Sequence, residues 1–113
     1  MKQGDIWLVN LDPTVGAEIK KSRPCAVLND NAMGVLPLKI VAPFTDCKER
    51  YRAVPWMIIL EPDAENNLSK TSALDLFQVR SVSEERLVHK IGRISEENLL
   101  QAHSAIKTVF GIK

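Results

Sequence analysis

Residues 4–28, GDIWLVNLDPTVGAEIKKSRPCAVL, decide the fold, because they predict a strand, a long polar loop and a second strand. Apolar side chains recur with a period of two along residues 6–11, which is typical of a strand with a buried face. Asp12-Pro13 ends this strand, since proline has no backbone donor and an aspartate side chain bonds the turn backbone. Residues 25–28 form the next apolar run.

Three positive charges, Lys20, Lys21 and Arg23, stand just before the second strand. An arginine at this position is fixed by strand geometry and does not move as it would on a free tail. Its planar fork of donors suits a phosphate group. The cluster therefore makes this strand start a candidate anion site.

Length and composition predict a single domain over residues 1–113, long enough to bury a core. The net charge of +1 does not by itself indicate a protein that binds nucleic acid. Any RNA site would have to come from local clustering of positively charged residues. The N-terminal residues lack the apolar core of a signal peptide, and no apolar run is long enough to span a membrane. Cys25 and Cys47 are read as free thiols in a reducing cytoplasm.

The rest of the chain predicts short strands and one helix. Strands are expected over residues 36–44, over residues 53–60 and over residues 87–94. The second of these contains Pro55, so it is expected to be an edge strand or a strand with a bulge. Residues 46–52 and 61–70 are expected to be surface loops. Residues 72–82 are expected to be one strand with Gln78 and Arg80 on the same face.

The C-terminal segment predicts an amphipathic helix. Ser95 is its expected N-cap, and Gly111 is the expected left-handed residue at its end. Its apolar stripe is expected to comprise Leu99, His103, Ile106 and Phe110. Many short strands with one good helix predict a small twisted barrel that the helix covers.

Several motifs in order carry a family resemblance, although none is specific by itself. They are Gly4-Asp5-Ile6-Trp7, Leu11-Asp12-Pro13-Thr14 with Gly16 and Glu18, Arg23-Pro24, Val41-Ala42-Pro43-Phe44-Thr45, Gln78-Val79-Arg80-Ser81, Arg86-Leu87 and Ile91-Gly92. Over nearly its whole length the chain resembles the MazF/PemK/Kid family of bacterial toxin ribonucleases. The resemblance implies a mainly β fold with α, an SH3-like β-barrel of the CcdB/MazF toxin type with a C-terminal helix, paired as a homodimer.

The resemblance also implies the toxin of a type II toxin–antitoxin system. Such a toxin is a sequence-selective, metal-independent endoribonuclease that cleaves single-stranded RNA, chiefly mRNA, in the cytoplasm. Attack of a ribose 2′-hydroxyl on the adjacent phosphate leaves a 2′,3′-cyclic phosphate and a 5′-hydroxyl. The implied partner is a small acidic, MazE-like antitoxin whose disordered tail folds over the RNA groove. No cofactor and no membrane partner are implied.

Three residues are the expected catalytic set, each with an ordinary structural alternative. Arg23 matches the family's essential arginine and would stabilise charge on the scissile phosphate, since a guanidinium is a poor general base; otherwise it is a solvated surface arginine. Thr45 would donate its hydroxyl to the phosphate; otherwise it caps a strand. Glu18 would orient Arg23 or activate the 2′-hydroxyl; otherwise it pairs with Lys20 or Lys21.

The expected RNA-binding side chains are those that attract phosphate or contact bases. Basic residues around Tyr51 suit single-stranded RNA, although they also suit an ordinary solvated loop. Gln78 would contact a base or a phosphate under the resemblance; as an ordinary structural residue it would be an amide at the edge of the core. The full set is Lys20, Lys21, Gln78, Arg80, Lys48, Arg50 and Arg52.

Other readings stay open beside this one. His89 and His103 are not an expected catalytic pair, and no side-chain cluster has metal-ligand spacing. The chain departs from some members of the family at Ala17, Asp46 and Phe77, so acid or base roles at those positions cannot be carried over. The alternatives are a CcdB-like toxin that inhibits DNA gyrase without cutting nucleic acid, and an inactive RNA-binding relative.

Overall fold

One curved antiparallel sheet of seven strands and one C-terminal helix make up the computed structural model, which describes residues 1–113. The elements are β1 (Asp5–Asn10), β2 (Ser22–Val27), β3 (Leu38–Asp46), β4 (Met57–Leu60), β5 (Ser72–Asp75), β6 (Arg80–Ser83), β7 (Leu87–Arg93) and α1 (Glu96–Phe110). The strand order is β4-β5-β3-β2-β1-β7, with β6 also beside β3. The predicted small β-barrel with a C-terminal helix is confirmed.

The long strand β3 organises the sheet because it pairs on both edges along different parts of its length. On one edge it pairs with β2, and the last pair is Cys25 opposite Pro43. On the other edge its first half pairs with β6 and its last residues pair with β5, where Thr45 stands opposite Ala73. The end of β3 therefore leaves β2 and continues with β5, so a gap opens between β2 and β3.

The prediction of one strand over residues 72–82 is wrong. The segment forms β5, a 3₁₀ turn over Leu76–Gln78, and then β6. The Asp75 side chain accepts a hydrogen bond from the backbone N–H of Phe77 at 3.0 Å, and this begins the turn. Leu76 is buried and Phe77 is exposed, so Gln78 and Arg80 do not share one strand face.

Helix α1 has the predicted caps but a different buried face. The Ser95 hydroxyl accepts from the N–H of Asn98 at 3.0 Å, and Gly111 has a φ of 71°. The helix buries Leu99 with two alanines, Ala102 and Ala105, whereas Phe110 is 65% exposed. The predicted stripe is wrong at Phe110, because the helix buries small side chains while its last turn, which carries Phe110, stays exposed.

The connections between strands differ in how far they match the predictions. The predicted edge position is confirmed, since β4 is one end of the sheet, but the strand begins at Met57 and does not contain Pro55. The charged segment after β3 contains a 3₁₀ turn over Glu49–Ala53. The expected surface loop 61–70 is wrong in part, because Asn66 and Leu68 are buried. No helix in the structure is long and apolar enough to cross a membrane.

Candidate functional site

A cavity of about 370 Å³ opens where β2 and β3 separate. Its first wall is the start of β2, with Lys21 and Arg23, and its second is the end of β3, with Thr45 and Asp46. The third wall is the chain that enters β5, with Asn67, Ser69 and Lys70. Two sequence motifs that lie far apart in the chain therefore meet in one cavity.

Arg23 and Thr45 occupy equivalent positions on the two strands. Each lies two residues beyond the last pair of the β2–β3 ladder, Cys25 opposite Pro43. Arg23 is half-buried, and its Nε donates to the carbonyl of Lys20 at 3.2 Å, which orients the guanidinium. Arg23 takes part in none of the ion pairs of the protein. Its remaining donors are available to an anion in the cavity.

An ion pair stands beside Thr45. The Nζ of Lys70 lies 2.7 Å from Oδ1 of Asp46, the residue that follows Thr45. The hydrogen bond from Lys70 and the Lys70 charge hold the pKa of Asp46 below its usual range, and Arg23 adds to this effect. Lys21, Arg23 and Lys70 thus place three cations against one carboxylate in the lining of the cavity. That balance favours an anionic ligand.

The thiol of Cys25, two residues along β2 from Arg23, is not part of this chemistry. Burial raises the pKa of Cys25 to about 12, against the opposing charges of Arg80 and Arg23. A thiolate is therefore not formed at neutral pH, and the residue packs as a small hydrophobe. Cys25 and Cys47 are both free, as predicted.

The β1–β2 loop, residues 11–21, is held by the chain around β6. Gln78 accepts from the N–H of Ile19 at 2.6 Å and donates to the carbonyl of Ala17 at 3.2 Å. Arg80 donates to the carbonyl of Leu11 at 3.1 Å. Both side chains, which the sequence marked as RNA-binding, therefore bind loop backbone in this structure and position the loop that leads to Arg23.

Glu18 is not brought to Arg23. Its Oε1 accepts from the backbone N–H of Val15 at 2.6 Å, so the carboxylate closes its own turn. It forms no ion pair with Lys20 or Lys21. A role for Glu18 in activating the 2′-hydroxyl stays a prediction.

The predicted basic residues divide between the cavity and other surfaces. Lys21 lines the cavity, and its N–H donates to Asp12 at 3.0 Å. Lys48 is close enough for its charge to lower the pKa of Asp46, after Lys70 and Arg23.

Lys20 and the two arginines lie elsewhere. The side chain of Lys20 is exposed outside the cavity, and only its carbonyl contacts Arg23. The Arg50 guanidinium lies over the Tyr51 ring at 5.3 Å. Arg52 pairs with Glu49 at 3.4 Å and lines a separate groove between β4 and α1. The charged segment after β3 thus reaches the cavity only at its beginning.

Sequence reasoning missed the third wall, because residues 61–70 looked like an ordinary polar loop. One local signal was available: two consecutive asparagines, Asn66-Asn67, are typical of a chain reversal. Asn67 indeed has a positive φ of 52°. The pairing of β3 with β5, which carries Lys70 to Asp46, has no signal in the local sequence.

The structure contains no group of three or more His, Cys, Asp or Glu side chains arranged to hold a metal ion. His89 is exposed on β7, and His103 is half-buried on α1. Neither histidine lines the cavity of Arg23 and Thr45.

Comparisons with known proteins match nearly the whole chain. The family model of the PemK-like, MazF-like toxins of type II toxin–antitoxin systems matches residues 2–110. The endoribonuclease MazF9 of Mycobacterium tuberculosis is 29% identical, over 95% of this chain and 93% of that protein. The endoribonuclease MazF of Staphylococcus epidermidis is 28% identical, over 99% of this chain and 92% of that protein.

Solved structures show the same fold at lower identity. The crystal structure of MazF from Deinococcus radiodurans superposes with a TM-score of 0.80 at 20% identity, covering 98% of this chain and 96% of that one. A mycobacterial endoribonuclease solved with its cognate antitoxin gives a TM-score of 0.79 at 12% identity, covering 100% and 97%. Since the family model spans nearly the whole chain, this protein belongs to the PemK-like, MazF-like toxins of type II toxin–antitoxin systems.

Proposed function

We propose that this toxin is an endoribonuclease that cleaves single-stranded RNA, chiefly mRNA, at the cavity formed by Arg23 and Thr45. The observation that carries the proposal is the meeting of these two side chains in one cation-rich cavity. The relatives named as endoribonucleases support the reaction class. A toxin that acts on mRNA works in the cytoplasm, and two free thiols agree with a reducing compartment.

The proposed reaction is a transesterification within the RNA chain. The 2′-oxygen forms a bond to the adjacent phosphorus as the bond to the 5′-oxygen breaks. The 2′-hydroxyl gives up a proton and the leaving 5′-oxygen takes one up, so neither water nor a cofactor is consumed. The products are a 2′,3′-cyclic phosphate and a 5′-hydroxyl.

Arg23 would stabilise the charge that builds on the phosphate oxygens in the transition state. Its guanidinium is oriented by the Lys20 carbonyl and has free donors, so it is preorganised for this role. The Thr45 hydroxyl would donate to the same phosphate from the opposite strand. Lys21 would add long-range attraction for the RNA backbone.

Cleavage of a long RNA in EDTA, followed by mapping of the 5′ ends, tests this function. The wild-type protein should cut at defined sites in EDTA. Arg23→Ala should lower the cleavage rate at least about a hundredfold, the scale of one preorganised charge stabiliser. Arg23→Lys should rescue little, because an ammonium cannot make a bidentate contact.

The matched control is Arg93→Ala, which removes an exposed arginine from β7 outside the cavity. It should cleave at the wild-type rate. Normal melting of Arg23→Ala together with a near wild-type rate would remove Arg23 from the mechanism. Loss of wild-type cleavage in EDTA, restored by one divalent ion, would show that the reaction needs a metal.

The same proposal includes a cognate acidic antitoxin and a homodimer. The three cations of the cavity suit an acidic peptide, and a mycobacterial relative in the solved structures is bound to its cognate antitoxin. A run of exposed apolar side chains before and within β3, four of which (Met33, Leu36, Leu38 and Ile40) line one shallow depression, supports pairing with a second copy. It comprises Met33, Val35, Leu36, Leu38 and Ile40, each more than 40% exposed.

The edge-strand region around β4 is a less exposed candidate for the dimer surface. Its apolar side chains Trp56, Met57 and Ile59 are already half-buried within one copy of the chain, and Trp56 packs against the core. Leu36→Glu should convert a dimer into a monomer in sedimentation equilibrium, whereas Val88→Glu on β7 should not. A wild-type monomer at tens of micromolar, with full RNA cleavage, would refute the dimer.

The gyrase-inhibiting alternative is not favoured. The relatives are endoribonucleases by name, and a protein that only binds another protein has no need of a phosphate-binding cavity.

A further inference from the structure

The third wall of the cavity, residues 61–70, is built around one buried side chain. Asn66 is 2% exposed. Its Nδ2 donates to the carbonyl of Glu61 at 2.9 Å, and its Oδ1 accepts from the N–H groups of Asp63 and Leu68, each at 3.0 Å. These bonds close the loop upon itself. The loop is therefore preorganised, although its composition is that of a flexible surface segment.

The same loop is fastened to β7. The N–H of Arg93 donates to the carbonyl of Glu65 at 3.0 Å, and Nδ2 of Asn67 donates to the carbonyl of Ile91 at 3.0 Å. Between them lies Gly92, where an added Cβ would stand 2.4 Å from the Glu65 oxygen. Only glycine permits this close approach. These contacts anchor residues 65–67 to β7 and so limit the positions that the backbone of Lys70, three residues later, can take.

Lys70 leaves this fixed wall and reaches the carboxylate next to Thr45. Its Nζ lies 2.7 Å from Oδ1 of Asp46, and both side chains are about two-thirds exposed. An ion pair this exposed contributes little to folding stability. The pair is therefore not needed to hold β3 to β5, which the backbone ladder already joins, and both side chains are accessible to a ligand in the cavity.

We propose that Lys70 is a substrate-binding residue that contacts an RNA phosphate, and that Asp46 is the anion that occupies the Lys70 ammonium until RNA displaces it. The inference rests on the proposed function. An incoming phosphate replaces Asp46 as the partner of the Lys70 ammonium, which the exposure of the pair allows. Lys70 and Arg23 then approach the RNA backbone from opposite walls.

The exchange has a distinct energetic consequence. In the free protein Asp46 competes with RNA for Lys70, so removing the Asp46 charge should tighten RNA binding. That gain should require Lys70, because Asp46 acts through it. Removing Lys70 should weaken binding and reduce its dependence on salt, because one phosphate contact is lost.

The experiment measures binding of a single-stranded RNA carrying 2′-O-methyl groups throughout, which cannot undergo attack by its own 2′-oxygen. Fluorescence anisotropy over a series of KCl concentrations gives the affinity and its salt slope. Lys70→Ala should weaken binding roughly tenfold, the scale of one charged hydrogen bond. It should lower the slope by about 0.7, the value for one phosphate contact to a single strand. Lys70→Arg should keep most of the affinity.

Two comparisons make the result specific. Lys107→Ala removes the same charge from an exposed position on α1, so it controls for net charge. Asp46→Asn should tighten binding in the wild-type background and have little effect when Lys70 is already alanine. In steady-state cleavage of unmodified RNA, Lys70→Ala should raise KM more than it lowers kcat.

Equal behaviour of Lys70→Ala and Lys107→Ala in affinity and salt slope would overturn the inference. So would an Asp46→Asn effect that is the same with and without Lys70. If wild-type protein cleaves RNA in EDTA while the Lys70 variants match it, the inference alone fails. If wild-type protein neither binds nor cleaves RNA, the proposed function fails and takes the inference with it.

Discussion

Replacing Asn66 by alanine should destabilise this toxin far more than a polar loop residue normally would. The substitution removes three hydrogen bonds, to the carbonyl of Glu61 and from the N–H groups of Asp63 and Leu68. All three are centred on a side chain that is almost fully buried. The backbone groups left behind must then find water, or the loop must open.

The magnitude follows from those bonds. Each contributes a net stabilisation of about 1 kcal/mol, so their loss should lower the free energy of unfolding by about 3 kcal/mol. For a domain of this size about 4 °C of melting temperature corresponds to 1 kcal/mol, which gives a decrease of about 12 °C. The matched control is Glu65→Ala, whose side chain is exposed and should change stability by less than about 0.5 kcal/mol.

Thermal and urea unfolding of the two variants measure the effect. Hydrogen exchange localises it, because the amides of Asp63 and Leu68 should exchange faster in Asn66→Ala while those of β1 and β2 keep their protection. A melting temperature within about 2 °C of the wild type would refute the reasoning. It would mean that packing against β7, and not the Asn66 hydrogen bonds, holds the loop.

Three other predictions concern different parts of the molecule. In folded protein at pH 8 iodoacetamide should label Cys47 and spare Cys25, whose buried thiol has a pKa of about 12; equal labelling of both would contradict this. Burial raises the pKa of Asp75, so the folded protein should lose stability as pH rises from about 4 through that raised value. Asp75→Asn keeps an acceptor for the Phe77 N–H without the charge and should therefore unfold at higher urea than wild type at pH 7 but not at about pH 3; a benefit that is the same at both pH values would contradict the burial argument. Gly92→Ala should destabilise by about 1–3 kcal/mol in urea unfolding, because its Cβ would overlap the carbonyls of Glu65 and Asn66; an unchanged midpoint would show that the loop yields freely.

The strand predicted from the alternation of residues 72–82 is wrong because one side-chain hydrogen bond interrupts the alternating pattern. Residues 72–82 alternate well enough to predict a single strand, yet the Asp75 carboxylate accepts from Phe77 and turns the chain. Burial then puts Leu76 inward and leaves Phe77 outward. Periodicity averages over a window and cannot register one hydrogen bond. The predicted apolar stripe of α1 is wrong for a different reason. A large apolar side chain such as Phe110 is expected to be buried, whereas the helix buries the small side chains of Ala102 and Ala105.

Motifs, and not geometry, predict Arg23 and Thr45 as site residues. The sequence places each at a strand end but says nothing of the distance between the two ends. Their meeting depends on the β2–β3 register, which ends two residues short of both. Gln78 and Arg80 illustrate the opposite case, because their side chains are taken up by loop carbonyls and amides that lie some sixty to seventy positions away in the chain.

By itself the sequence determined the C-terminal helix with its caps, the edge position of β4 and the placement of Arg23 at the start of β2, but not the division of residues 72–82 into β5 and β6. These follow from local periodicity, proline and capping chemistry, which act over a few residues. Only the tertiary structure decided that the loop 61–70 is a rigid wall and that Lys70 meets Asp46 beside Thr45. The physical reason is that β3 leaves β2 and pairs with β5, a long-range ladder that joins distant residues without leaving a pattern in either segment.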